Sequence, residues 1–312
     1  MQFIIVPLDG SAYAERAIGF ARVLADATNA QLILTQVVER PWAALYPPDL
    51  PTLLEQAAAG YLNDVAAKVD TGSVTTLVLH GHPADALGAF AQHQADAVLV
   101  MSSHGRGGLG RAAFGSVADK VVRGATTPVV IVPAASGSGI SPLTEVVVAL
   151  DGAPLAESAL PPAVELARVT GATLRLVRVV TPVWESFSMY GAPDTMLFSD
   201  TRLTELQQQA DDEARAYLAT VAGTLGQLPG GVTHELRSGR PADQLLRLTA
   251  ELPSALLVMT THGRGGLRRW ALGSVTTELV QRSCVPVMVV PSATSAEPAT
   301  DSAGGNATQP AG

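Results

Sequence analysis

The chain has 312 residues, enough for about two domains of ordinary size, and its 47% apolar and 15% charged residues favour sheets buried on both faces. The net charge of −8 without a basic cluster argues against nucleic acid as a partner, and the single cysteine, Cys284, excludes an intrachain disulfide and argues against a cysteine-based zinc site. Neither a signal peptide nor an apolar run approaching the roughly 18 residues of a membrane span is recognisable, so we expect a cytoplasmic protein with no membrane partner.

The first part of the chain alternates between predicted strands and predicted helices. The strands are short apolar runs, and the helices carry apolar residues three and four positions apart. Strands are predicted over 3–8, 31–38, 74–79, 97–101 and 129–132, and helices over 52–69, 83–94 and 116–123. A further helical stretch follows Ser11, with apolar residues at helix spacing from Ala14 to Leu24. This alternation predicts an α/β fold with a doubly wound parallel sheet between two layers of helices. Such a sheet binds ligands at the carboxyl ends of its strands, where the strand order reverses.

The rest of the chain repeats this pattern. Residues 98–133 align without gaps onto residues 256–291 at an offset of 158 (256 minus 98), whereas the domain starts align at an offset of 142 (151 minus 9). The second copy therefore carries 16 extra residues (158 minus 142), which lie between Val180 and Gly239. A repeat of this length indicates duplicated domains, so we predict two tandem five-stranded sheets.

Four segments follow from the repeat. They are domain 1 (1–133), a linker (134–143), domain 2 (144–291) and a tail (292–312). The linker is rich in Ala, Ser and Gly. The tail contains little besides Ser, Ala, Thr, Gly and Pro, so it is predicted to be disordered.

The last strand of each domain is expected at the edge of its sheet. These strands lie within 128–133 and 286–291, and both are apolar. A bare apolar edge promotes aggregation, so pairing of the two strands would cover both edges and form an internal pseudo-dimer. The alternative is two domains on a flexible tether.

The most informative motif is a glycine-rich loop after the fourth predicted strand of each copy. Residues 102–116 read SSHGRGGLGRAAFGS, and residues 260–274 read TTHGRGGLRRWALGS. Each loop ends at a predicted helix start, where unpaired N–H groups favour an anion, and glycine lets the backbone approach phosphate closely. Gly105-x-Gly107-x-x-Gly110 also matches the dinucleotide fingerprint, but that motif belongs after the first strand, and the second copy has Arg268 at its third glycine. A surface loop without a ligand is the remaining alternative.

Both loops resemble the ATP signature of the universal stress protein family, in its tandem two-domain form. The second part of the signature Gly-x2-Gly-x9-Gly-Ser/Thr fits 105–116 and 263–274, while Ser102 and Thr260 stand at its first glycine. The resemblance implies a Rossmann-like fold of the adenine nucleotide alpha hydrolase-like type. It also implies ATP as ligand, with Mg²⁺ carried by the phosphates, and a role in the stress response. It implies the same edge-strand contact between single-domain subunits, which allows a homodimer.

The resemblance implies nucleotide contacts from both copies. The candidates in the first copy are Asp9, Val37, Met101, Ser102, His104, Gly105, Arg106, Gly115, Ser116 and Val117. Those in the second are Asp151, Val179, Met259, Thr260, His262, Gly263, Arg264, Gly273, Ser274 and Val275.

Each type of candidate also has an ordinary structural interpretation. The carboxylates would accept hydrogen bonds from the nucleotide, or else cap a helix. The valines would offer their backbone to the adenine, or else belong to the core, and the methionines are pocket walls or buried strand residues. For the histidines we expect a loop-stabilising hydrogen bond rather than catalysis. The arginines neutralise phosphate or lie on the surface.

We expect a nucleotide-binding regulatory protein with no catalytic residue. A phosphoryl-transfer enzyme needs a base and residues that hold Mg²⁺, but no carboxylate occurs between Ser102 and Ser116. The alternatives are a slow ATP hydrolase or nucleotide-transferring enzyme, and a degenerate scaffold that binds no nucleotide. The second loop contains three arginines (Arg264, Arg268 and Arg269) against two in the first (Arg106 and Arg111), so loop charge predicts tighter phosphate binding in the second copy.

Overall fold

The computed structural model describes residues 1–39, 47, 49–70, 72–105, 114–133, 142–185, 199–261 and 272–291. Most of the predicted linker, the whole predicted tail and the middle of each glycine-rich loop lie outside these ranges. Of the candidate site residues, Arg106, His262, Gly263 and Arg264 also lie outside them.

The first half follows the predicted alternation of strands and helices. Its elements are β1 (Phe3–Pro7), α1 (Ala12–Thr28), β2 (Gln31–Val38), α2 (Leu50–Ala66), β3 (Val74–His80), α3 (Pro83–Gln92), β4 (Ala97–Ser102), α4 (Ser116–Gly124) and β5 (Val129–Val132). Helix α1 begins where the Ser11 side chain accepts a hydrogen bond from the N–H of Ala14, and it ends at Asn29, whose backbone is left-handed with φ 53°.

The second half has the same order of elements, with a short 3-10 helix added. Its elements are β6 (Glu145–Ala149), the 3-10 helix (Ala156–Ala159), α5 (Leu160–Thr170), β7 (Thr173–Val180), α6 (Asp200–Thr224), β8 (Val232–Ser238), α7 (Pro241–Glu251), β9 (Ala255–Thr260), α8 (Ser274–Arg282) and β10 (Val287–Val290). Helix α6 has 25 residues against 17 in α2, which accounts for part of the extra length of this half. Of the helices in the described ranges, none combines the length and apolarity needed to cross a membrane.

The ten strands in the described part of the chain form one sheet. Their order is β3-β2-β1-β4-β5-β10-β9-β6-β7-β8. Within each half every pairing is parallel, and the order reverses beside β1 and beside β6, as in a doubly wound fold. The α/β fold class predicted from the sequence is therefore confirmed. The two five-stranded sheets meet at β5 and β10, which pair antiparallel with Val130 opposite Met288.

The core covers both faces of this sheet and runs through both halves. Successive strand residues point to opposite faces, so Ile4 and Val146 belong to one apolar cluster, whereas Ile5 and Val147 belong to the other. All six residues of β4 and all six of β9 are buried. The apolar composition of the chain is explained by these central strands, which carry helices on both sides.

Candidate functional site

A cavity of about 1000 Å³ opens at the carboxyl ends of the strands of the first half. It lies beside β1 and β4, where the strand order reverses, and α2, α3 and the start of α4 form its sides. The candidates of the first half that line it are Asp9, Val37, Met101, Ser102, His104, Gly105, Gly115, Ser116 and Val117. The structure thus brings together the candidates of this half that it describes.

The glycine-rich loop is closed at its base by one backbone hydrogen bond. The N–H of Gly115 donates to the carbonyl of Ser103 at 2.9 Å, and in the second half the N–H of Gly273 donates to the carbonyl of Thr261 at 3.0 Å. A Cβ at Gly115 would lie 3.3 Å from the Ser103 oxygen, closer than ordinary contact. Since Gly115 has a φ of −61°, which any residue adopts, it is the tight space beside the Ser103 carbonyl that disfavours a side chain here.

His104 and Ser102 are placed at the start of the same loop. The Oγ of Ser103 and Nδ1 of His104 share a hydrogen bond of 2.9 Å, which ties the imidazole to its own loop. Ser102 is only 6% exposed at the end of β4, and Thr260 has the same 6% exposure at the end of β9. The residues at the first glycine position of the signature are therefore part of the cavity wall in the first half and buried in the second.

Asp9 belongs to a turn, and Ser11 is the cap of α1. The carboxylate oxygen Oδ1 of Asp9 accepts the N–H of Ser11 at 2.9 Å, and Asp151 accepts the N–H of Ala153 at 2.9 Å in the same way. A Cβ at Gly105 would lie 2.6 Å from Oδ2 of Asp9. The missing side chain of Gly105 is thus what leaves room for the second carboxylate oxygen.

Tyr61 is a site residue that the sequence analysis missed, because its position fits the apolar stripe of α2. It lines the cavity, and its hydroxyl donates a 2.9 Å hydrogen bond to Glu15 of α1. Burial raises the pKa of Tyr61, and the Glu15 hydrogen bond and the charges of Glu15 and Asp9 raise it further. Tyr61 is therefore a neutral phenol that connects α1 to α2 beside the cavity.

The second half contains the same tyrosine–glutamate pair. The Tyr217 hydroxyl donates to Glu157 at 3.1 Å. Tyr61 and Tyr217 align only at an offset of 156 (217 minus 61), between the two offsets of the repeat. A comparison that allows a gap inside α2 and α6 would have found the pair.

Gln36 is a second residue that the sequence analysis missed. It lies on β2 and lines the cavity, and its buried Oε1 has no hydrogen-bond partner in the part of the chain that the structure describes. A buried amide oxygen normally accepts a hydrogen bond, so this atom is suited to accept one from a ligand.

In the second half, Arg178 takes the place of Gln36 at the offset of 142 (178 minus 36). Its guanidinium carbon lies 5.1 Å from the centroid of the Tyr217 ring. The candidates of this half that the structure describes lie at the ends of β6, β7 and β9 and at the start of α8. They are Asp151, Val179, Met259, Thr260, Gly273, Ser274 and Val275.

Comparisons with known proteins agree with this architecture. The family model described as the universal stress protein family matches residues 1–133 and 143–291. Universal stress proteins of Mycobacterium bovis and Mycobacterium tuberculosis are 26% identical over 310 residues, covering 92% of this chain and 94% of theirs. The crystal structure of a universal stress protein from Archaeoglobus fulgidus has a TM-score of 0.65 and 18% identity, covering 93% of this chain and 98% of that one. At that identity the likeness supports the fold alone.

Proposed function

Because this chain belongs to the universal stress protein family, we propose that it is a regulatory protein of the stress response that binds ATP in the cavity of its first half. The observation that carries the proposal is the cavity itself, about 1000 Å³ at the point where the strand order reverses. Its volume is at the upper end of the range of small-molecule sites, and doubly wound sheets bind nucleotides at this point.

The described residues of the cavity fit an adenosine. Val37 and Met101 offer apolar walls, and the carboxylate of Asp9 accepts hydrogen bonds from ribose hydroxyls or from an amino group. Gln36 adds an acceptor that is otherwise buried without a partner in the described ranges. Purine and ribose both carry donors that can satisfy these oxygens.

The phosphates are assigned to the far end of the glycine-rich loop, at the start of α4, because Asp9 packs against Gly105 at the beginning of that loop. Asp9 and Glu39 are the charged Asp and Glu side chains that line the cavity, and both repel phosphate. At the other end the backbone N–H groups of the first turn of α4 begin at Ser116, after a glycine that provides no side-chain cap. Arg106 would neutralise phosphate charge from the loop, and Mg²⁺ would be carried by the phosphates.

We expect binding without efficient turnover. Asp119, the acidic residue in the first turn of α4, is held by Arg123, whose Nε lies 2.9 Å from both carboxylate oxygens. It is also not among the described residues that line the cavity, which supports binding over the positioning of water or Mg²⁺ that a hydrolase requires. Binding of ATP would then act through the shape or the partners of the protein.

Gly115→Val tests the assignment of the cavity. The added side chain would collide with the Ser103 carbonyl at the base of the loop, so we expect ATP affinity to fall about tenfold or more in calorimetric titration. Gly124→Val is the matched control, because a Cβ at the other end of the same helix meets nothing within 4 Å. Circular dichroism checks the fold of both variants. Equal affinity for ATP in the wild type and in folded Gly115→Val would refute the proposal.

A further inference from the structure

Among the repeat positions beside the site that differ between the two halves, one changes a neutral side chain into a cation. Gln36 of β2 faces the cavity of the first half with an oxygen that has no partner among the described residues, whereas the equivalent Arg178 of β7 lies against its own domain. A Cβ at Gly152 would lie 2.9 Å from Cζ and Nη1 of Arg178 and 3.0 Å from Nη2. The guanidinium of Arg178 thus packs against the backbone of Gly152.

Gly152 corresponds to Gly10, at the offset of 142 (152 minus 10). In the first half Gly10 is part of the cavity lining. The guanidinium of Arg178 therefore occupies, in the second half, the space that corresponds to the cavity beside Gly10. Gly152 permits this because it has no side chain, and its φ of +88° disfavours replacement by other residues.

The contacts around Arg178 hold it in that place. Its guanidinium stacks on the ring of Tyr217, 5.1 Å from the ring centroid, which is a favourable cation–π distance. Tyr217 is itself fixed by its hydrogen bond to Glu157. Burial raises the pKa of Tyr217 most, the Glu157 hydrogen bond and the charges of Glu157 and Asp151 raise it further, and the charge of Arg178 lowers it.

We propose that Arg178 closes the adenosine end of the second site, so that the chain binds one nucleotide, in its first half. The inference rests on the proposed function, since it assigns which of the two sites takes the ATP. The number of loop arginines predicts tighter ATP binding in the second half, and this inference predicts the opposite. The loop arginines attract the phosphates, but ATP binds only where its adenosine also has room. The guanidinium of Arg178 fills the space in the second half that corresponds to part of the cavity in the first half.

The test is a reciprocal exchange, Arg178→Gln and Gln36→Arg. Calorimetry with ATP, at protein concentrations above the dissociation constant, gives the number of sites. We expect one site in the wild type, two in Arg178→Gln, and one in the double exchange. Gln36→Arg alone should weaken binding about tenfold or more. Adding Gly115→Val or Gly273→Val to each protein shows which half is occupied.

Arg168→Gln is the matched control, since it makes the same charge change on the exposed surface of α5 in the same half. It should leave one site. Two sites in the wild type, or a single site in folded Arg178→Gln, would overturn the inference while leaving the proposed function intact. No ATP binding in either protein would overturn the proposed function and this inference together.

Discussion

The carboxylate of Asp9 is oriented before any ligand arrives. One oxygen is engaged by the N–H of Ser11 in the turn after β1, and the other lies where Gly105 leaves space. A polar group that is already in position loses little conformational entropy on binding, which favours affinity. The equivalent Asp151 has the same turn, in the half where the guanidinium of Arg178 packs against Gly152.

Asp9→Asn separates the binding role of this residue from its structural role. The amide oxygen of Asn can still accept from Ser11, so we expect little change in stability, but the group that faces the cavity becomes a donor. ATP affinity should fall about tenfold in calorimetric titration, as expected for the loss of hydrogen bonds to a charged acceptor. Asp151→Asn is the control in the same chain and should leave ATP binding unchanged. An equal loss in both variants would contradict the roles given to the two halves.

Gln36 and Arg178 show which part of the site could be predicted from the sequence. The difference between them is visible in the internal repeat, and the loop glycines and the aspartates were predicted as candidates from motif spacing and the family resemblance. The contact of Arg178 with Tyr217 was not predictable, because Tyr217 lies on α6, where the offset between the copies changes. The position of Tyr217 depends on how α6 packs on the sheet, and this packing cannot be predicted from residue spacing along the chain.

Among the elements, the strands were predicted more accurately than the helices. Strands β2 and β5 have the predicted bounds, and in β5 these coincide with a continuous apolar run of four buried residues. Helix α1 was predicted after Ser11 from apolar residues between Ala14 and Leu24, without its ends, and it extends from Ala12 to Thr28. Its ends are set by the Ser11 cap and the left-handed Asn29, and apolar periodicity does not report either of them.

Three neighbouring strands of the second half, β6, β7 and β8, carry an ionic cluster at positions that are apolar in the first half. Arg175 of β7 contacts Glu145 of β6 at 2.8 Å and Glu235 of β8 at 3.3 Å. Their side chains are 26%, 17% and 30% exposed, so the charges are partly desolvated. The equivalent residues of the first half are Phe3, Ile33 and Leu77.

Arg175→Ile should destabilise the protein by about 1–2 kcal/mol, because it removes the cation of the partly buried Glu145 and leaves Glu235 with Arg237 alone, at 2.7 Å. The double change Glu145→Phe and Arg175→Ile copies the first half at these two positions and keeps the Glu235–Arg237 pair. We expect that double variant to return close to wild-type stability, since apolar packing often replaces an ion pair at no cost. Urea unfolding followed by circular dichroism measures the stability of both variants. If Arg175→Ile alone were as stable as the wild type, the cluster would contribute nothing to stability.

At the scale of the whole molecule, the two halves are one folded unit. β5 and β10 pair in the middle of the ten-stranded sheet, and their side chains enter both apolar clusters. Val130 and Met288 belong to the cluster on one face, and Ile131 and Val287 to the cluster on the other. The edge that the family resemblance assigns to contact between separate subunits is therefore used inside this chain, and the edges of the sheet are β3 and β8.

A shared core predicts that both halves unfold together. Ile4 of β1 is completely buried, and Ile4→Ala should cost about 2–5 kcal/mol through lost apolar contact and a residual cavity. The space left by the Ile4→Ala substitution lies in an apolar cluster that continues into the second half. We therefore expect a single urea unfolding transition, with its midpoint at a lower urea concentration than in the wild type. Peptides from both halves should lose hydrogen-exchange protection at the same urea concentration. Val146→Ala, at the matching position of β6, should lower protection in both halves in the same way. If Ile4→Ala instead produced two transitions, with the second half still protected after the first had unfolded, the halves would be independent domains on a tether.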